Sequence, residues 1–340
     1  MQSSRQSKRD RLALASETLG FTKILEAAPK QACLIVLTYH RIGNPATCKY
    51  DRKLYSATAE EFEDQVRLLR NRYEVISLEE AIAITVSRRR ITGSRILITF
   101  DDGYRDNFET AYPILRSFGI PATFFLCTTY VGTTMIPWWD HIAYLVRHTR
   151  HPELRISYPA PQHFELRGDP EPALVRILKT FKSPANQDPE RMIAELEAAC
   201  EVPRPTEMER LFLNWTEAAE MLRGGMSIGS HTHTHAVLAK LPMEKQIEEL
   251  ATSRRILEEN LGRTIDTLSY PVGGPTAFSK TTMRAATEAG YKGAFSDYGG
   301  FNHYTGTDPL DIRRNPIDDT ALFRFRFQLA LGASTGRYWV

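Results

Sequence analysis

The feature that most constrains this chain is its alternation of short apolar runs with amphipathic stretches. "ACLIVLTYH", "ILITF", "ATFFLC" and "MSIGSH" are rich in β-branched and aromatic residues with hardly a polar break. That is the pattern of strands buried on both faces. Between them stand helix signals. "TAEEFEDQVRLLRNRY" puts Phe62, Val66 and Leu69 on one stripe, Ser77 and Glu80 form a capping box, and "NFETAYPILRSFG" closes on Gly119. Such alternation predicts an α/β chain of parallel strands with helices outside. The rhythm breaks at Pro137 and resumes after Leu211. The expectation is therefore one α/β body over 32–340, interrupted at about 137–211 by an inserted, partly helical subdomain. Helical segments are expected there around Ala173 to Phe181 and Asp188 to Cys200.

Residues 1–31 read as a basic, then amphipathic, helical extension. Leu12, Leu19 and Ile24 are expected on one face packed against the body. The rival expectation is a helix lying on a membrane surface as a peripheral contact, helped by Arg5, Lys8, Arg9 and Arg11. The stretch lacks the roughly 7–15-residue apolar core of a secretory signal, and no segment approaches the roughly 20 apolar residues of a membrane span. The expected location is cytoplasmic or membrane-surface. A net charge of +2 on 340 residues argues for no nucleic-acid partner. Cys33, Cys48, Cys127 and Cys200 are too scattered for a disulfide framework or a zinc knuckle.

Two stretches carry chemistry. In "RILITFDDGYRDNF" a buried strand runs straight into Asp101 and Asp102, with Gly103 supplying the turn. Adjacent carboxylates repel unless a proton or a cation comes between them. In "IGSHTHTHAVLAKL" three histidines follow another short strand. His231 and His235, four apart, are expected to face one point from a helical turn, with His233 pointing elsewhere. Both stretches lie at the carboxyl ends of expected parallel strands, the face on which α/β barrels build active sites. Two imidazoles and a carboxylate make a three-ligand metal site with positions open for water or substrate. One acid would bind the metal, and its neighbour, turned away by extended backbone, would be free to take a proton.

"TFDDG" at Thr99 to Gly103 and "HTHTH" at His231 to His235, in that order, resemble the first two motifs of the NodB-like polysaccharide deacetylases, carbohydrate esterase family four. The resemblance extends through "YRDNFETAYPILRSFGIPATFFL" and covers about Ala32 to Pro316 outside the insertion. It implies a distorted (β/α) barrel and a metal-dependent hydrolase that removes N-acetyl groups from amino sugars in a glycan or glycoconjugate. It implies Asp102, His231 and His235 as ligands of a divalent metal, zinc first, with cobalt, nickel or iron accepted. It implies Asp101 as the general base.

The chain departs from the family pattern in three places. Its third motif reads "SYPV", with Ser269 where an arginine is usual and Val272 where a tyrosine is usual; Val272 still offers the backbone N–H that stabilises an oxyanion, and Tyr270 is placed with the substrate. Arg314 in "IRRNPI" is the candidate replacement for the arginine, with Arg313 second. The family's late histidine motif is absent. His40 in "VLTYHRI" is the candidate general acid, with His303 the other choice. Trp138, Trp139 and Asp140 open the insertion in place of the fourth motif, and the two tryptophans either stack on sugar or anchor a lid. Tyr104 and Asn107 either line the cleft or pack on the neighbouring helix. The rival classes are a non-catalytic glycan-binding member of the fold and an amidohydrolase acting on a non-sugar amide. A two-histidine iron oxygenase fits less well, because there the acid follows the first histidine on an all-β scaffold.

Overall fold

The computed structural model describes residues 8–203, 209–318 and 321–336, so Arg5 lies outside the described residues. Seven parallel strands close into a barrel: β1 (Leu34–Tyr39), β2 (Arg95–Phe100), β3 (Thr123–Leu126), β4 (Ser227–Ser230), β5 (Thr267–Ser269), β6 (Gly293–Ser296) and β7 (Ile312–Pro316). Around the ring the order is β1-β7-β6-β5-β4-β3-β2, and β2 pairs back onto β1 from Leu34 opposite Arg95 to Tyr39 opposite Phe100. A short strand, Glu74–Val75, pairs with the first half of β2 on the outside. The apolar runs are continuous because these strands are covered twice, by side chains filling the barrel and by helices around it. Phe100 stacks between Tyr39 and Phe124, with ring centroids 5.3 and 4.7 Å away. The expected barrel is the one found.

Helix ends follow local chemistry. Thr58 and Glu61 form a reciprocal capping box on helix Ala59–Arg72, worth about 1 kcal/mol. At Ser77 only half of the expected box forms: its hydroxyl accepts from Glu80 N. The helix after the double aspartate opens as a π-turn over Asn107–Ala111, a distortion that often marks functional sites.

The extension folds as α1 (Lys8–Thr18) and α2 (Phe21–Ala27). The inserted segment contains α3 (Trp138–His148), an antiparallel hairpin of Glu153–Ile156 with Gln162–Glu165, α4 (Glu171–Lys182) and α5 (Pro189–Cys200). It packs around its own apolar cluster, including Ile142, Leu154, Phe164, Ile177 and Leu196, which Tyr104 and Cys127 of the barrel join. The sequence reading missed α3 and the hairpin, because proline-rich flanks masked the periodicity. It also missed a terminal helix, α6 (Leu322–Thr335), against which α1 and α2 lie. That packing corrects the expected face. Ala13, Ser16 and Thr22 turn inward, because small side chains let helices approach closely, and Leu12, Leu19 and Ile24 are left exposed.

Candidate active site

The site is built on the carboxyl ends of the barrel strands. Asp101 and Asp102 follow β2, His231 follows β4, Ser269 ends β5, and Arg314 lies within β7. Gly103 has φ 80°, and a Cβ there would lie 2.7 Å from Leu126, so the turn after the aspartates demands glycine. Asp102 itself is left-handed, at φ 70°, and not extended as expected. This twist, rather than strand alternation, sends the two carboxylates apart.

The two histidines converge without a helix. Thr232 and His235 take φ 66° and 59°, folding "HTHTH" into a tight irregular turn. His233 points away, its ring nitrogen 2.9 Å from Thr128 Oγ1. With Val272 at φ 66°, four of the six non-glycine residues of positive φ among the described residues lie at this site. Backbone strain of this kind concentrates where function over-determines geometry.

Asp102, His231 and His235 each offer one donor atom, and the three lie within 4.8 Å of one another. Asp102 Oδ1 stands 3.4 Å from His231 Nε2 and 3.3 Å from His235 Nε2, and it is buried without a hydrogen-bond partner among the described residues. Two ligand atoms on a tetrahedral zinc with bonds near 2.1 Å would stand about 3.4 Å apart. The donor chemistry therefore fits a divalent ion, and both spacings from Asp102 to the imidazoles match that distance. His231 Nδ1 lies 2.9 Å from the Ser269 carbonyl, which can only accept. That contact puts the ring proton on Nδ1 and leaves the Nε2 lone pair facing the site. His235 has no such orienting bond: its Nδ1 is buried and unpartnered among the described residues, and the Trp139 indole packs on its ring at 4.3 Å.

Asp101 is held differently. Arg314 is fully buried and reaches both its oxygens, Nη1 to Oδ1 and Nη2 to Oδ2, each at 2.7 Å. Ser269 Oγ donates to Asp101 Oδ2 at 3.1 Å and accepts from Arg314 Nη2 at 2.8 Å. Burial opposes the charge on Asp101, but Arg314 outweighs it and holds the carboxyl at about 2. Burial likewise opposes the charge on Asp102, and the two imidazoles hold it well below the usual range. The repulsion between adjacent acids is thus relieved separately, Asp101 by Arg314 and Asp102 by the histidines. Burial lowers His235, whereas the Asp101 and Asp102 charges outweigh burial and raise His231.

Other expected site residues fall as follows. The backbone of His40 is pinned at the rim: its N–H donates to Ser56 Oγ and its carbonyl accepts from Asn107 Nδ2 at 2.7 Å. Its charge acts on Asp101, Asp102 and Asp297. His303 is exposed beside Gly336 at the far end of α6, away from the site. Arg313 is exposed over the Tyr298 ring. Tyr104 and Tyr270 do not line a cleft. Both are fully buried; Tyr104 donates to Asp140 Oδ2 at 2.8 Å, and Tyr270 donates to the Leu310 carbonyl and stacks on Phe278. Asn107 is buried too, and it lines no cleft: its amide holds the His40 carbonyl. Trp139 is an anchor whose Nε1 donates to Tyr104 Oη at 2.7 Å, while half-buried Trp138 stacks on Phe181.

Asp297, at the end of "YKGAFSD", was not anticipated. It is half-buried, its N–H donates to the Gly273 carbonyl, and Arg314, His40 and Asp101 act on it electrostatically. Burial pushes its carboxyl up, with Arg314 and His40 opposing. A Cβ on Gly273, the residue after Val272, would lie 2.6 Å from Asp297 Cβ, so the two loops are pressed together. An acid directly after a short apolar strand is the only signal the sequence offers.

A family model described as polysaccharide deacetylase matches residues 88–294. The chain belongs to the polysaccharide deacetylase family. Among members of that family, it is similar to YxkH of Bacillus subtilis (strain 168), named for the same deacetylases, with 24% identity over 77% of this chain and 64% of that one. It is also 32% identical, over 29% of its length, to 38% of a poly-beta-1,6-N-acetyl-D-glucosamine N-deacetylase of Staphylococcus epidermidis. The chain therefore spans less than two thirds of the length of these curated relatives. The fold matches the structure of IcaB from Ammonifex degensii with a TM-score of 0.58 at 19% identity, covering 90% of this chain and 99% of that one.

Proposed function

We propose that this polysaccharide deacetylase family member is a metal-dependent hydrolase that removes N-acetyl groups from amino sugars in a glycan. The observation that carries this reading is the pairing of a three-donor cluster, Asp102, His231 and His235, with an adjacent carboxylate, Asp101, clamped by Arg314. Asp102, His231 and His235 would hold the divalent ion, which when bound polarises the acetamide carbonyl and acidifies a water. Zinc suits the two-nitrogen, one-oxygen donor set, and cobalt, nickel and iron also accept it.

Asp101 takes the proton of the attacking water. Its low affinity for protons in the resting site keeps it ionised, and Arg314 with Ser269 fixes which oxygen faces the reaction. The Val272 N–H, on a backbone held at φ 66°, donates to the oxyanion. His40 gives a proton to the departing sugar nitrogen, so that acetate and a free amine separate. Asp297 sits where it can balance the charge on His40. Trp138, on the insertion and 6.1 Å from His235, forms a wall for the sugar. The name of the staphylococcal relative makes β-1,6-linked N-acetylglucosamine the first substrate to try.

The test is acetate release from N-acetylated oligosaccharides of several linkages, with protein stripped of metal and then reloaded. Release that depends on reloading supports the reading. Tight glycan binding with no release on any linkage supports a binding-only member instead.

A further inference from the structure

The mechanism leaves one prominent surface unused. Of the eight large apolar side chains exposed among the described residues, five lie between Leu12 and Ile24: Leu12, Leu14, Leu19, Phe21 and Ile24. Leu19 is 81% exposed and Ile24 64%. Clustered apolar exposure of this density marks a surface with a partner, whereas single exposed leucines need no explanation. The pattern follows from how the two helices pack. The small residues Ala13, Ser16 and Thr22 are the ones buried where α1 and α2 meet the body, so Leu12 and Leu14 of α1 are turned outward. Leu12 lies on one flank of α1 and Leu14 on the other with exposed Arg11, and Leu19 stands in the turn just after the helix.

The charges on this segment select the partner. From Lys8 to Ile24 the sequence carries Lys8, Arg9, Arg11 and Lys23 against Asp10 and Glu17. Glu17 is already paired with Arg326 of α6, as is Glu26 of α2 at 2.7 Å. Glu17 and Glu26 are thus held inward on the body, and Arg11 and Lys23 remain exposed beside the leucines. A second copy docked through this face by a two-fold axis would set these cations against their own images. A surface that is apolar beneath and anionic at its boundary complements both features.

We propose that α1 and α2 form a peripheral docking face for an anionic phospholipid bilayer. Leu12, Leu19, Phe21 and Ile24 enter the acyl boundary, and Arg11 and Lys23 meet lipid phosphates. No described helix is long and apolar enough to cross a membrane, so the attachment is to one leaflet surface.

Co-sedimentation of the full chain with vesicles tests this. One set is phosphatidylcholine alone and the other phosphatidylcholine mixed with phosphatidylglycerol. The protein is expected to pellet with the anionic set, to stay in solution with the neutral one, and to be released by added salt. Leu19→Asp with Ile24→Asp abolishes pelleting, and Arg11→Gln or Lys23→Gln each weakens it about fivefold. Unchanged thermal melting of these surface variants shows that the fold is intact, and the salt response of the wild type is an independent arm. Equal pelleting with both vesicle sets overturns the proposal, as does pelleting with neither. A concentration-dependent dimer that Leu19→Asp dissolves, without vesicle binding, assigns the face to a second copy and also overturns it.

Discussion

Arg314 and Asp101 form a two-pronged pair inside the barrel, each guanidinium nitrogen 2.7 Å from its own carboxylate oxygen, with Arg314 fully buried and Asp101 almost so. The arginine is supplied by β7, whereas the family's third motif would place one in the position that Ser269 occupies at the end of β5. Ser269 keeps the contact in reduced form, its hydroxyl bridging the pair.

Removing Arg314 separates orientation from metal binding. Arg314→Met is expected to leave Asp101 buried without its partner, costing about 3–5 kcal/mol of stability. It should also lower kcat by about 10²-fold or more. Arg314→Lys keeps the charge but not the fork, and rescues stability better than rate. Metal affinity by calorimetry should change little in either variant, since Arg314 touches none of the three ligands. A large loss of metal affinity would contradict the division of labour between the two aspartates.

The Asp101 pair also sets an acid limit. The folded carboxyl lies at about 2, below its ordinary 3.8, so its contribution is fully present above about pH 4 and is lost as pH falls toward 2. The shift corresponds to about 2 kcal/mol. Urea unfolding of metal-free protein across that window should show stability falling with pH more steeply in the wild type than in Asp101→Asn. Parallel slopes would count against a strongly paired Asp101.

Much of this was legible in the sequence because it is local. Strands declare themselves by unbroken apolar runs, and "DDG" and "HTHTH" sit at strand ends that any parallel barrel gathers on one face. What failed was direction. Tyr104, open to cleft lining or helix packing, and Tyr270, expected beside the substrate, turn their hydroxyls to buried partners, Asp140 and the Leu310 carbonyl, that no spacing reveals. Trp139 reaches His235 only because the insertion folds back over the barrel. Asp297 is placed by a contact with Gly273 across two loops. Hydrophobicity favours Leu12, Leu19 and Ile24 as the packed face, whereas helix packing turns Ala13, Ser16 and Thr22 inward.

Tyr104 gives a direct test of the support behind the metal ligands. Its hydroxyl accepts from Trp139 Nε1 and donates to Asp140, which also accepts from Asp51 N. Tyr104→Phe leaves a buried donor and a buried acceptor unpaired, a loss of about 2–4 kcal/mol. Trp139 then loses its tether against His235, whose Nδ1 has no hydrogen-bond partner among the described residues. Metal affinity by calorimetry is expected to fall about tenfold, the lower end for lost outer support. Unaltered affinity with lowered stability would make the network purely structural.

The proton donor can be settled by two alanine variants. His40→Ala is expected to lower kcat by about 10²–10⁴-fold with metal binding retained. His303→Ala, at an exposed position beside the end of α6, should leave the rate unchanged. The reverse pattern would displace His40 from the mechanism.

The most direct measurement is acetate release from an N-acetylglucosamine oligomer by Asp101→Asn protein loaded with zinc to the wild-type stoichiometry. Asparagine keeps the shape but cannot take the proton. The predicted result is full metal binding with release reduced by at least about 10²-fold. Release at the wild-type rate would contradict the account and move the base elsewhere in the site.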